Sequence, residues 1–313
     1  MRPITAFIVT AFVCACGMGP ASGAPPMVVA GNTVQITEHV YVIPDQRVPL
    51  VPNVGIIVGT EGALVVDTGM GPVNAEIVLD EVRKITDLPI SYLVCTHFHP
   101  EHNFGAQSFP DSTIIIYASG QRRDLRNKGE AYRELFTELF GDDVAELLAG
   151  VEITEPDVIF ENKAEVNLGD LPVELHHFGY AAHTGGDTVV YLPEQKVIFS
   201  GGLTPNRFFP IFPDEDSSAT GWIASLEQLE KFDAVHVVPG HGEVGDPDLI
   251  AIVKAYLVQL SDASLTLKSA GVSLAEAQAQ LSPRFEREYN GWDNPNWINN
   301  AIEVIYAEAD SKP

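Results

Sequence analysis

Three of the nine histidines fall within six residues, in Thr96-His97-Phe98-His99-Pro100-Glu101-His102, directly after the apolar run Ile90–Cys95. That placement constrains the fold more than any other feature. In an extended segment residues two apart point the same way, so His97 and His99 can converge on one ion. A turn through Pro100 can bring Glu101 and His102 round to a second position close by. Imidazole and carboxylate suit Zn²⁺, and three protein ligands with an open position mark a catalytic zinc.

Two further histidines sit in loops of the right kind. His183 lies in Ala182-His183-Thr184-Gly185-Gly186-Asp187, and His241 in Pro239-Gly240-His241-Gly242. Both are flanked by glycine, where backbone approaches closely and function concentrates. A single loop histidine would carry no chemistry on its own. Two such loops beside the cluster make a polar loop with accidental histidines the weaker reading. His39, His176, His177 and His236 lie in strand-like runs and read as structural, and Cys95 reads as a small buried side chain.

The rest of the chain alternates short apolar runs with helical spacing. Thr33–Ile43 alternates like a strand. Val54–Val58 and Ala63–Val66 suggest a hairpin turning near Glu61-Gly62. Pro72–Ile85 has helical periodicity with proline near its start. Ser119–Leu148 is strongly helical, with a break at Gly141. Further strands are expected at Ile114–Tyr117, Val173–Phe178, Thr188–Leu192, Val197–Phe199 and Ala234–Val238. Further helices are expected at Ser217–Phe232, Pro247–Leu267, Leu274–Leu281 and Pro295–Ala309. Strands interleaved with helices on this scale imply an α/β protein, with sheets covered by helices.

Composition narrows the partners. Eighteen Lys and Arg stand against 43 Asp and Glu, a net charge of −25. That balance excludes a basic face for nucleic acid and disfavours docking on an anionic membrane. The expected partner is a small-molecule substrate; oligomeric state is not legible. Residues 1–24 form a separate object: Arg2, the apolar run Ile4–Cys16, then Ser22-Gly23-Ala24. This is the shape of a secretory signal peptide, with Cys16 as a less well matched acylation site, and it implies a periplasmic or secreted domain from 25 to 313. No other segment reads as long and apolar enough to span a membrane. Cleavage would leave Cys95 as the only cysteine, so no intramolecular disulfide is expected.

The chain resembles the metallo-β-lactamase superfamily over roughly Thr33 to Pro247. The resemblance rests on Leu64-Val65-Val66-Asp67-Thr68-Gly69, the His97–His102 cluster, His183-Thr184-Gly185-Gly186-Asp187, the strand pair Val189–Leu192 and Val197–Phe199, and Pro239-Gly240-His241-Gly242. It implies a four-layer αββα sandwich with one or two zinc ions at one edge of the sheets. It places His97, His99 and His183 on the first zinc, and Glu101, His102 and His241 on the second, with Asp67 behind the site. Two positions depart from the common pattern. Glu101 stands where most of the family has Asp, and Gly202 stands where many hydrolases of the family carry a ligand. What remains resembles the third subclass of class B β-lactamases. That likeness implies a substrate carboxylate held by Thr204, with Arg207 as a second candidate. The expected reaction is zinc-assisted attack of water on a strained amide or ester, a β-lactam first, with Glu101 steering the proton. A lactone or thioester hydrolase and a zinc-binding accessory protein stay open. The extra methylene of Glu101 moves its carboxylate about 1.5 Å outward. Zinc sites tolerate errors of only about 0.2 Å. One tight zinc and a looser second one are therefore expected.

Overall fold

Runs of Val, Ile and Leu that are buried on both faces build the centre of the molecule. The computed structural model describes residues 25–311, so the segment read as a signal peptide lies outside the described residues. The first sheet contains β1 (Val34–Gln35), β2 (Val40–Ile43), β3 (Val54–Val58), β4 (Ala63–Val66), β5 (Ile90–Val94), β6 (Ile114–Ala118) and β7 (Val158–Phe160), in that spatial order. The second contains β8 (Lys163–Asn167), β9 (Pro172–His176), β10 (Val189–Leu192), β11 (Val197–Gly201) and β12 (His236–Pro239), in reverse order across the sheet. β4 to β7 run parallel, as do β11 and β12; the other pairings are antiparallel.

The side-chain alternation of each central strand feeds two cores. In β4, Leu64 and Val66 pack between the sheets, while Val65 packs under helices. In β10, Val190 and Leu192 face the other sheet, while Val189 and Tyr191 face outward. Gly55 permits the sheets to close, because a Cβ there would stand 2.4 Å from the Phe199 ring.

Helices α1 (Gly71–Ile85), α3 (Ser119–Phe140) and α4 (Asp142–Leu148) cover the first sheet, with the single-turn α2 (Pro100–Asn103) between them in sequence. Helices α5 (Ala219–Leu229), α6 (Asp248–Ser269), α7 (Leu274–Glu288) and α8 (Trp297–Ser311) cover the second. The result is the αββα sandwich that the sequence implies.

The long helical stretch from Ser119 breaks at Gly141 as expected, since its φ of 81° fits no helix. Three differences have local causes. The expected strand Thr33–Ile43 is two short strands, because Ile36 and Thr37 both donate their backbone N–H to Val40 O and turn the chain. β7 and β8 escaped the sequence reading because they are short and β8 alternates in polar residues (Lys-Ala-Glu-Val-Asn). Finally, α6 is long and apolar enough to cross a membrane by composition, contrary to expectation. Its Leu249, Ile250, Val253, Leu257 and Leu260 are packed in the second core.

Candidate metal centre

The site is assembled at one edge of the sandwich from the ends of four strands and the start of a fifth. β4 runs into Asp67, and β5 runs into His97 and His99. Pro100 then opens α2, and this single helical turn carries Glu101 and His102 round to the site. His183 sits in the loop ahead of β10, tied to the cluster by Thr188 N–H donating to Thr96 O at 2.7 Å. β11 runs into Gly202, and β12 into His241. Carboxyl ends of strands in an open α/β sheet are the usual place for a site, because the loops leaving them converge.

Two groups of ligand-bearing side chains result, His97 with His99 and His183, and Glu101 with His102 and His241. Within each group the ligand atoms lie within 4.8 Å of one another. All are buried except His241, which is half-buried.

Hydrogen bonds assign the ring tautomers. His183 Nδ1 lies 3.0 Å from Ile211 O and His241 Nδ1 lies 3.0 Å from Val51 O. His102 Nδ1 lies 2.7 Å from Asp67 Oδ2. These acceptors place a proton on Nδ1 in each case and leave Nε2 of the neutral ring with a lone pair. Asp67 also accepts the Thr96 N–H at 2.6 Å and the Thr96 hydroxyl at 3.0 Å, and that hydroxyl accepts from His97 Nδ1 at 3.0 Å. Asp67 thus orients two ligands, from a backbone at φ 66° that Asp tolerates better than most residues.

These residues fit a divalent cation. His97 Nε2 and Glu101 Oε2 are buried without a hydrogen-bond partner. His102 Nε2 and His241 Nε2 converge to 3.2 Å, so a cation beside them could draw on both rings once His102 gives up its Nε2 proton. Burial first, then the neighbouring imidazoles for His97, and His102 with Lys128 for His99, hold both far below the ordinary histidine range. Burial first, then His99 for His183 and His102 for His241, brings those two to about 3. They are therefore neutral at pH 7, the form that ligates a metal. Burial works against a charge on His102, and Asp67 more than offsets it. Burial pushes the Glu101 carboxyl up.

The groups open into a cavity of about 300 Å³. Its walls are apolar: Leu50, Phe136, Phe140, Phe208, Trp222 and Trp297 among them. Arg47 is the one Lys or Arg among the lining residues. It is ion-paired to Glu243 at 3.0 Å and to Asp293, and its guanidinium lies 4.5 Å from the Phe208 ring centre.

The structure thus gathers His97, His99, Glu101, His102, His183 and His241, with Asp67 behind them. It does not bring Thr204 or Arg207 to the cavity. Thr204 is fully buried and bonded to Ser200, because the tight turn after β11 directs it into the protein. Arg207, in left-handed backbone at φ 59°, is exposed and absent from the lining. Phe208, Phe209 and Trp222 also line the cavity. Arg47, Tyr132 and Trp297 escaped the sequence reading because they come from three distant segments with no local motif.

The metallo-beta-lactamase superfamily profile matches residues 47–241. A linear primary-alkylsulfatase of Pseudomonas sp. is 27% identical over 217 residues, 60% of this chain and 41% of the relative. A type 2 metallo-beta-lactamase of Bacteroides fragilis is 24% identical over 215 residues, 67% of this chain and 77% of the relative. A solved inverting sec-alkylsulfatase from Pseudomonas sp. superposes with TM-score 0.72 at 17% identity, covering 96% of this chain and 54% of that one. The chain therefore spans about half, or less, of the alkylsulfatases it matches. The structural likeness establishes the fold, and the profile covers well over half of the sequence. The chain belongs to the metallo-beta-lactamase superfamily.

Proposed function

We propose that the protein is a zinc-dependent hydrolase of a neutral ester or lactone that carries a bulky apolar group. One observation carries this reading. The cavity over the two ligand groups is walled by aromatic and aliphatic side chains, and its single Arg is already engaged by two carboxylates. A substrate with a carboxylate or sulfate outside the reacting group would want a free cation there. An uncharged ester would not, and its apolar part would gain about 25 cal/mol per Å² on burial.

Zinc bound at these ligands would acidify water and polarise a carbonyl. The residues of the chain do the rest. Asp67, Ile211 O and Val51 O hold three imidazoles in register. The apolar walls exclude bulk water, which strengthens each charge interaction inside. Glu101, buried with Oε2 unpartnered, takes the proton from the attacking water and returns it to the leaving oxygen, so ester and water become acid and alcohol. Within this reading the His97, His99 and His183 group holds the tighter ion. The longer side chain of Glu101 gives the second group more freedom to lose.

β-Lactam hydrolysis is the second reading, favoured by the similarity to the Bacteroides fragilis relative. The test is an assay of the zinc-loaded protein, with and without chelator. The substrates are p-nitrophenyl acetate and octanoate, a γ-lactone, a chromogenic cephalosporin and dodecyl sulfate. Chelator-sensitive ester hydrolysis with kcat/KM at least about tenfold higher for octanoate is expected, given ~0.8 kcal/mol per buried CH₂. Turnover of the cephalosporin or of the alkyl sulfate alone would overturn the first reading.

A further inference from the structure

Asp214 lies in the loop between β11 and α5, behind the first ligand group and outside every motif that identifies the site. Its side chain is 2% exposed. Its Oδ2 faces His99 Nε2 at 3.7 Å, and both atoms are buried without a hydrogen-bond partner. Two buried polar atoms left unpaired are costly, and each is the kind of group the other needs. The carboxylate is held in place from its other oxygen. Tyr132 donates its hydroxyl to Asp214 Oδ1 at 2.7 Å, and Lys128 Nζ stands 3.5 Å from the same atom. The Tyr132 ring also lies parallel to His99, with planes 13° apart and centroids 5.2 Å apart. One residue of α3 therefore sets both the plane of the imidazole and the position of the carboxylate behind it.

We propose that Asp214 is a positioning residue for His99. It accepts the Nε2–H of the imidazole, fixes the tautomer and thereby presents Nδ1 to the metal. The 3.7 Å separation is beyond hydrogen-bond length, so the bond would need a small ring rotation to form. A carboxylate behind a ligating histidine raises the basicity of the ring, and losing such a partner typically weakens metal binding about 10- to 100-fold. The inference rests on metal binding at this site and not on the substrate.

The test is the isosteric Asp214→Asn variant, with the metal-free thermal midpoint read first to show that it folds. Zinc affinity is measured by competition with a chromogenic chelator, and the Co²⁺-loaded protein is read by its visible d–d bands. A 10- to 100-fold weaker first site together with shifted bands is expected. A merely structural role would leave the bands in place. Native affinity and unchanged bands in the variant would overturn the proposal. Should Asp214→Asn fail to fold, Tyr132→Phe keeps the carboxylate but releases it. A smaller fall in affinity with the same band shift is then expected, and no change in either overturns the proposal. A native protein that binds no zinc would overturn the metal reading itself, which is a different result.

Discussion

Position 202 shows how a single atom can decide the form of the candidate metal centre. A Cβ on Gly202 would stand 2.2 Å from Cδ2 of His183 and 2.9 Å from its Nε2. The space that a bridging side chain would need is already filled by the ring of a ligand. Glycine is therefore required here by contact with His183. Gly202→Asp is expected to displace His183 and weaken zinc at the first group at least about tenfold, since ligand errors beyond ~0.2 Å are not tolerated. Zinc content after dialysis reads this directly. A variant that retains the native stoichiometry would show that the ring has room to move. Glu101 sits on the helical turn that Pro100 opens, and its Oε1 comes within 4.0 Å of His241 Nε2.

Among the elements, the loop after β12 depends on a buried clamp from the segment between β2 and β3. Asn53 donates through Nδ2 to Pro239 O at 2.9 Å and to Gly242 O at 2.7 Å. Its Oδ1 accepts the Asp45 N–H at 2.9 Å, and Asp45 Oδ2 accepts the Gly242 N–H at 2.7 Å. The two residues hold the backbone on either side of His241, whose ring is itself tied to Val51 O in the same segment. Asn53→Ala would strand two buried carbonyls at about 1–3 kcal/mol each. For a domain of this size the thermal midpoint should fall by about 4 °C or more. Zinc titration should lose the second equivalent before the first, because His241 belongs to the second group. Loss of both equivalents together would mean that the clamp serves the whole site.

The whole molecule decides what reaches the metal ligands. The matched family region ends at His241, yet Asp293, Asn294 and Trp297, which line the cavity, lie beyond it. Helices α6 to α8 therefore do two things. They cover the second sheet with a core that includes Leu257, Leu260, Phe285 and Ile302, and they bring Trp297 against the cavity. Trp297→Ala is expected to enlarge the cavity and to raise the kcat/KM of a dodecanoyl ester relative to an octanoyl ester severalfold. An unchanged ratio would remove Trp297 from the set of residues that limit substrate size. The strongly acidic composition bears little on this chamber, because surface charges are screened beyond about 8–10 Å at ordinary salt.

The sequence by itself determined the fold class and the residues that form both ligand groups. The reason is that this information is local. His97, His99, Glu101 and His102 lie within one strand end and one helical turn, and His183 and His241 are each marked by adjacent glycines in a strand-end loop. Strand and helix periods likewise need only a short window to read. Only the tertiary structure decided what surrounds the ligands. Arg47 is neutralised by Asp293 across 246 residues, and Tyr132 meets Asp214 across 82. Thr204 reads as a free loop hydroxyl until the turn after β11 buries it against Ser200. Cavity walls, ion pairs and the supports of ligands depend on which distant segments the packed cores bring together, and no spacing within a single segment records that.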